Sequence, residues 1–153
     1  MDQKHDFIFS PGRWIGEGRI SFSSSRDHLR FYTSWWIEKE EKSDVMRCQQ
    51  QVEMQGAENI VCNQFLIKKT SADKFNIQLE NELLGLVEGS GVIDSQTIAW
   101  EFRNNINTEG FEVYELQENG DYMLHAEYSS PDQFRTIIDG RIWKKSPIVT
   151  QDE

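Results

Sequence analysis

The sequence predicts an all-β protein, an up-and-down barrel of about ten antiparallel strands. Three observations carry that prediction. Apolar and polar residues alternate with period two along most of the chain, the signature of strands with one buried face. Clusters of Gly, Ser, Asn and Asp interrupt the alternation at short intervals. No segment reads as a convincing long helix: Gln78 to Leu86 has the propensity, but Gly85 and the β-like runs on either side oppose it. Short turns join antiparallel neighbours. About ten such strands in an open sheet would leave two exposed edges, and closure removes both.

The elements follow in order. After Pro11-Gly12, Trp14, Gly16, Gly18, Ile20 and Phe22 share one face. Beyond Ser23-Asp27, a second strand places Leu29, Phe31, Thr33, Trp35 and Ile37 in phase, ending at the charged turn Glu40-Asp44. Val45 to Met54 alternates Met46, Cys48, Gln50, Val52 and Met54 against Arg47, Gln49, Gln51 and Glu53. Ile60 to Lys69 and the run Phe75, Ile77, Leu79 follow, then the glycine-bearing Leu84 to Ile93. Ile98, Trp100 and Phe102 precede the loop Asn104-Thr108, and Phe111 and Val113 are taken as the inner phase of the next strand. Asn119-Gly120 is a hairpin signal because both residues accept positive φ. Tyr122, Leu124, Ala126 and Tyr128 lead to the last strand, Phe134 to Lys144.

The chain has 153 residues, 37% of them hydrophobic and 12% aromatic, which is enough for one core. A single domain over 1–153 is expected, with 1–8 and 146–153 as tails. The formal charge of −10 argues against nucleic-acid and anionic-membrane partners, which are held by clustered cations. The charged opening Met1-Asp6 does not read as a secretory leader, so a cytoplasmic location is expected. If Cys48 and Cys62 lie on a hairpin turning at Gln55-Glu58, they are three positions out of register and on opposite faces, which predicts free thiols.

The run Gly12-Arg13-Trp14-Ile15-Gly16-Glu17-Gly18 resembles the G-x-W that opens the first strand of lipocalins and related calycins. Its longer form, G-x-W-x-G-x-G, is similar to the start of nitrobindin-type barrels. The resemblance implies a lipocalin-like barrel closed at one end by Gly12 and Trp14. It also implies a basic residue near the chain end stacked on that Trp; Arg141 is the first candidate and Arg135 the second. Three departures separate the chain from particular groups. Ser23 to His28 is too short for the helical hairpin of fatty-acid-binding proteins. Ser146 to Glu153 is not the helix that classical lipocalins append. Phe134 to Trp143 lacks the histidine that holds haem in nitrobindin-type barrels, so no cofactor is carried over.

A barrel of this size can hold one small ligand or fill its lumen with side chains. Phe31, Trp35, Trp100, Phe102, Phe111, Tyr122 and Tyr128 are the expected lumenal aromatics, with Gln50, Thr33 and Thr136 as polar groups. That mixture suits an apolar or aromatic molecule held by stacking and one or two hydrogen bonds. The mouth is expected opposite Trp14, ringed by Glu40-Asp44 or Asn104-Thr108.

Chemistry is harder to find. His5, His28 and His125 have no metal-ligand spacing, and neither a phosphate-binding loop nor a nucleophile elbow is present. No catalytic or metal residue is assigned. An acid facing a dry lumen would have a raised pKa and could move protons; Glu101 and Asp139 are the acids considered, and alternation puts Glu101 on the outer face. The leading expectation is a binding protein. A lyase or isomerase using the same lumen is the alternative, as in the lipocalin-like phycobilin-attachment lyases, and a filled interaction module is the third. Tyr32 and Trp36 alternate outward and form a candidate homodimer patch. If they do, Trp36→Glu converts a dimer to a monomer in analytical ultracentrifugation; an unchanged mass rejects that interface.

Overall fold

The computed structural model describes residues 5–103, 108–129 and 135–146. Its strands are β1 (Gly12–Phe22), β2 (His28–Lys39), β3 (Met46–Met54), β4 (Val61–Ser71) and β5 (Lys74–Asn81), then β6 (Gly85–Ile93), β7 (Thr97–Phe102), β8 (Glu109–Leu116), β9 (Tyr122–Ser129) and β10 (Arg135–Lys144). Each strand pairs antiparallel with the next, and β10 pairs back onto β1 to close the barrel. The sequence expectation of an all-β, ten-strand antiparallel barrel is thus met. Among the described residues there is no helix.

Closure depends on two glycines facing each other across the last seam. Gly18 opposes Gly140, and the Phe31 ring of β2 lies over both. A Cβ on Gly18 would stand 2.1 Å from the Asp139 carbonyl oxygen and 2.7 Å from Phe31 Cε2. A Cβ on Gly140 would stand 2.5 Å from the Glu17 carbonyl oxygen. No side chain fits there without parting the strands, so Gly18→Val is expected to cost about 1–3 kcal/mol through overpacking. Urea unfolding measures it, and an unchanged midpoint would show that the seam tolerates bulk.

Strand polarity sorts the turns onto two ends. β1 starts beside Trp14 and runs away from it, so the turns after β2, β4, β6 and β8 lie at the Trp14 end and those after the odd strands at the far end. The Glu40-Asp44 turn follows β2. It therefore sits at the closed end, which corrects one of the two expected positions for the mouth. Of the other, Asn104-Thr108, residues 104–107 lie outside the described residues.

The closed end is sealed by a segment expected to be a tail. Phe7 and Ile8 are both 0% exposed. The Phe7 ring meets Trp14 at 5.3 Å, Trp35 at 5.1 Å, Tyr114 at 4.8 Å and Tyr122 at 5.6 Å between centroids. His5, also buried, ties the segment down through Nδ1 to Tyr122 Oη at 2.6 Å and Nε2 to the Asp94 carbonyl oxygen at 2.7 Å. Ile8 turns the chain into the plug with φ of 60°, costly for a β-branched residue and tolerated because its side chain is fully buried. The apolar run Phe7-Ile8-Phe9 was the available signal, outweighed in the sequence by its charged surroundings.

The cysteines follow their predicted geometry. Cys48 opposes Phe65 and is buried, Cys62 opposes Gln51 and is exposed, and both are free. Burial pushes the Cys48 thiol up to about 12, so it behaves as a small apolar core residue.

Candidate functional site

The lumen is half filled and half hollow. Its lower part, above the Phe7 plug, is a stack of aromatic rings: Trp35 lies on Phe65 at 5.1 Å and Trp100 on Tyr114 at 5.0 Å. Over this floor, in the half of the barrel away from Trp14, is a cavity of about 380 Å³. Its apolar wall is built from Ile20, Phe31, Val52, Phe65, Leu79, Leu124 and Ile138. Each belongs to the inward phase of its strand, so the cavity is the place where the inner side chains are too small to meet across the barrel.

Two polar groups stand in this wall, half a barrel apart. On β3, β4 and β5, the amides of Gln50, Asn63 and Asn81 form a ladder. Asn81 donates to Asn63 Oδ1 at 2.9 Å, Asn63 to Gln50 Oε1 at 2.9 Å, and Gln50 to Thr33 Oγ1 at 3.1 Å, whose hydroxyl donates to the Gln51 carbonyl oxygen at 3.1 Å. The far end is fixed by the Leu84 amide, which donates to Asn81 Oδ1 at 2.7 Å. Such cross-strand amides satisfy one another and hold their remaining hydrogen-bonding capacity toward the cavity.

Opposite the ladder is Glu112 on β8. Tyr114 donates its phenol to Glu112 Oε1 at 2.6 Å, and the Tyr128 phenol donates to Glu112 Oε2. Burial raises the Glu112 carboxyl above its ordinary value, while the bonds from Tyr114 and Tyr128 pull partly back. Burial and the adjacent carboxylate push both phenols up, so they stay protonated donors.

This corrects the expected phase of β8. Phe111 points outward, 37% exposed, with its ring 6.1 Å from His125, and does not reach the lumen. Gly110, Glu112 and Tyr114 take the inner face. Two features of the neighbours make that phase fit. Glu112 opposes the small Ala126 across the ladder. A Cβ on Gly110 would stand 2.3 Å from Tyr128 Cδ1, so the glycine leaves room for the ring that reaches the carboxylate. The sequence signal was present in Gly110-x-Glu112-x-Tyr114 facing Ala126-x-Tyr128. The lone Phe111 outweighed it because a charged residue is not ordinarily set inward.

The other sequence-derived residues divide by depth. Phe31, Gln50 and Tyr128 line the cavity. Trp35, Trp100 and Phe102 are buried at 2% exposure or less but lie outside its lining, the two indoles in the floor and Phe102 packed over Gly89. Tyr122 faces inward at the plug. Trp14 stands at the closed end, and Gly12 opens β1 opposite Ile37. Arg141 does not stack on Trp14. Its position alternates outward, and its guanidinium lies 4.8 Å from the ring centre of Trp143; Trp14 packs instead against Phe7 and Tyr122. Glu112, Asn63, Asn81 and Phe7 are the residues that the sequence reading missed.

Neither acid singled out in the sequence is lumenal. Glu101 pairs with Arg103 at 2.5 Å on the outer face, and Asp139 accepts from His125 Nδ1 at 2.6 Å. His125 reaches Glu127 through Nε2 at 2.9 Å, and these two carboxylates raise its pKa. On the outward patch, Tyr32 is 49% exposed beneath Arg30, whereas Trp36 is half-buried with Arg13 at 5.0 Å over its ring. Among the described residues no three His, Cys, Asp or Glu side chains form a metal-binding group. Among those residues, no helix is long and apolar enough to cross a membrane.

No protein-family model matches the chain, and no curated protein matches it. The structure is similar to the solved S-type phycobiliprotein lyase CPES from Guillardia theta, with a TM-score of 0.69 over 91% of this chain and 90% of that one, at 9% sequence identity. At that identity the likeness shows a shared lipocalin-like barrel and no more.

Proposed function

We propose that the barrel binds one small, mainly apolar or aromatic molecule in the cavity above its aromatic floor. The supporting observation is that cavity: about 380 Å³, apolar around most of its wall, with two separate sets of half-buried hydrogen-bonding groups. Apolar walls supply binding energy in proportion to the area they cover, and a few fixed polar groups orient the bound molecule. The filled lower half serves as the rigid base, since tightly packed rings leave no room for a ligand to slide deeper.

The uncharged probe N-phenyl-1-naphthylamine tests this reading. Its fluorescence is expected to rise on titration and saturate at one equivalent. Ile138→Trp, which puts an indole into the cavity wall, is expected to weaken binding by about tenfold or more, with the far-ultraviolet dichroism of the barrel retained. No saturable binding, or binding indifferent to Ile138→Trp, would reject it.

A second reading, a lyase or isomerase acting in the same lumen, is supported by Glu112, a half-buried carboxyl able to hold a proton beside the cavity. Native mass spectrometry separates the two. An enzyme would carry product in the wild type and substrate in Glu112→Gln, whereas a carrier would retain the same mass in both.

A further inference from the structure

The cavity described above has an unbalanced set of ionisable groups. Its lining contains Glu112 and the protonated Tyr128 phenol, and no Lys, Arg or His among the described residues. The amides of Gln50, Asn63 and Asn81 on the opposite wall are neutral, so they offer hydrogen bonds but no charge to offset an anion. A molecule entering this space leaves water behind, so the sign of its charge decides what it meets.

On the reading that the cavity binds a small molecule, we propose that its ligands are aromatic or apolar molecules carrying a basic nitrogen, with Glu112 as the counter-ion and organic acids excluded. A carboxylate or sulfonate brought into the cavity would be desolvated with no cation to compensate it, beside a carboxyl that would have to stay protonated. A protonated amine instead gives Glu112 an opposite charge. The two phenols of Tyr114 and Tyr128 remain as donors to the carboxylate and hold it in one orientation. Glu112 is half-buried and lines the cavity, and each of its carboxylate oxygens keeps a further lone pair beside the phenol it accepts from.

The proton balance is fixed. An ammonium ligand arrives already protonated, and any proton that Glu112 holds goes to solvent as the pair forms. Binding of a cation therefore releases up to one proton, whereas binding of a neutral molecule releases none. Burial raises the Glu112 pKa, so the amount released depends on pH and is largest where the free carboxyl is protonated.

Three probes with one ring system test the proposal by calorimetry: 1-naphthylmethylamine, 1-naphthalenemethanol and 1-naphthoate, on wild-type protein at neutral pH. The amine is expected to bind about tenfold more tightly than the alcohol, and naphthoate more weakly than either. Repetition in two buffers of different ionisation enthalpy should show proton release for the amine alone. In Glu112→Gln the amine-to-alcohol ratio is expected to fall to about one, and the proton release to vanish. Naphthoate binding as tightly as the amine overturns the proposal, as does an amine preference that survives Glu112→Gln. Should the variant fold poorly, the order of the three probes on the wild type decides the question: the amine tightest and naphthoate weakest supports the pair, and naphthoate binding as tightly as the amine overturns it. Equal binding of all three probes overturns the charge assignment while leaving the ligand-binding reading intact; binding of none overturns both.

Discussion

Truncating Phe7 to alanine is expected to lower stability by about 3–5 kcal/mol, the usual cost of removing a fully enclosed ring. The four rings that meet Phe7 come from β1, β2, β8 and β9, so the side chain is the point at which these strands converge at the closed end. Outward-facing residues of the sheet cannot collapse inward to fill the void, which places the cost toward the upper part of that range. In a protein of this size the melting temperature should fall by about 10 °C or more. Differential scanning calorimetry of Phe7→Ala beside Phe9→Ala makes the comparison, because Phe9 is only partly buried. A shift of a degree or two for Phe7→Ala would mean that the N-terminal segment does not seal the barrel.

Replacing Glu112 by glutamine is expected to change how stability depends on pH, and the sign follows from burial. The folded state raises this carboxyl, so between its unfolded and folded pKa values the native protein holds a proton that the unfolded chain has lost. The contribution of this group is therefore largest below the unfolded value of about 4.3. It falls as pH rises through the interval and levels off above the folded value. Each unit by which the folded pKa exceeds the unfolded one costs about 1.4 kcal/mol at high pH. Glutamine keeps an acceptor for one phenol and has no charge to bury, so the falling component should be missing from Glu112→Gln. Urea unfolding of both proteins from pH 4 to pH 9 gives the difference curve. A flat difference would show that the carboxyl is solvated. A difference rising in the opposite sense would show that it is held ionised. His125 titrates in both proteins and cancels in the comparison.

How far these features could be read from sequence depends on what each residue must satisfy. Period-two alternation and turn chemistry are local, and they located the strands even where, as in β8, the inner phase was assigned to the wrong residues. Trp14, Phe31 and Trp35 were placed inward by that rule. Glu112 was not, since its inward position is decided by partners on other strands: the Tyr128 hydroxyl, the space over Ala126 and the missing Cβ of Gly110. Phe7 was missed for a related reason, because it sits outside any strand and its surroundings have no period to reveal it. Arg141 shows the converse. The resemblance supplied a partner for Trp14 that alternation already directed outward, and Trp14 packs against the plug instead. The division of the lumen into a filled floor and a hollow upper half required side-chain volumes to be summed across ten strands, and no single strand contains that information.

A ligand held above the aromatic floor should touch only the half of the barrel away from Trp14. Methyl chemical shifts of isotope-labelled protein titrated with N-phenyl-1-naphthylamine test that placement directly. The largest changes are expected at Ile20, Val52, Leu79, Leu124 and Ile138, which line the cavity. Ile37, Ile67, Ile98 and Ile142, buried in the lower half, should hold their positions. Large shifts at those four residues, or at the exposed Leu86 and Val92 alone, would contradict it.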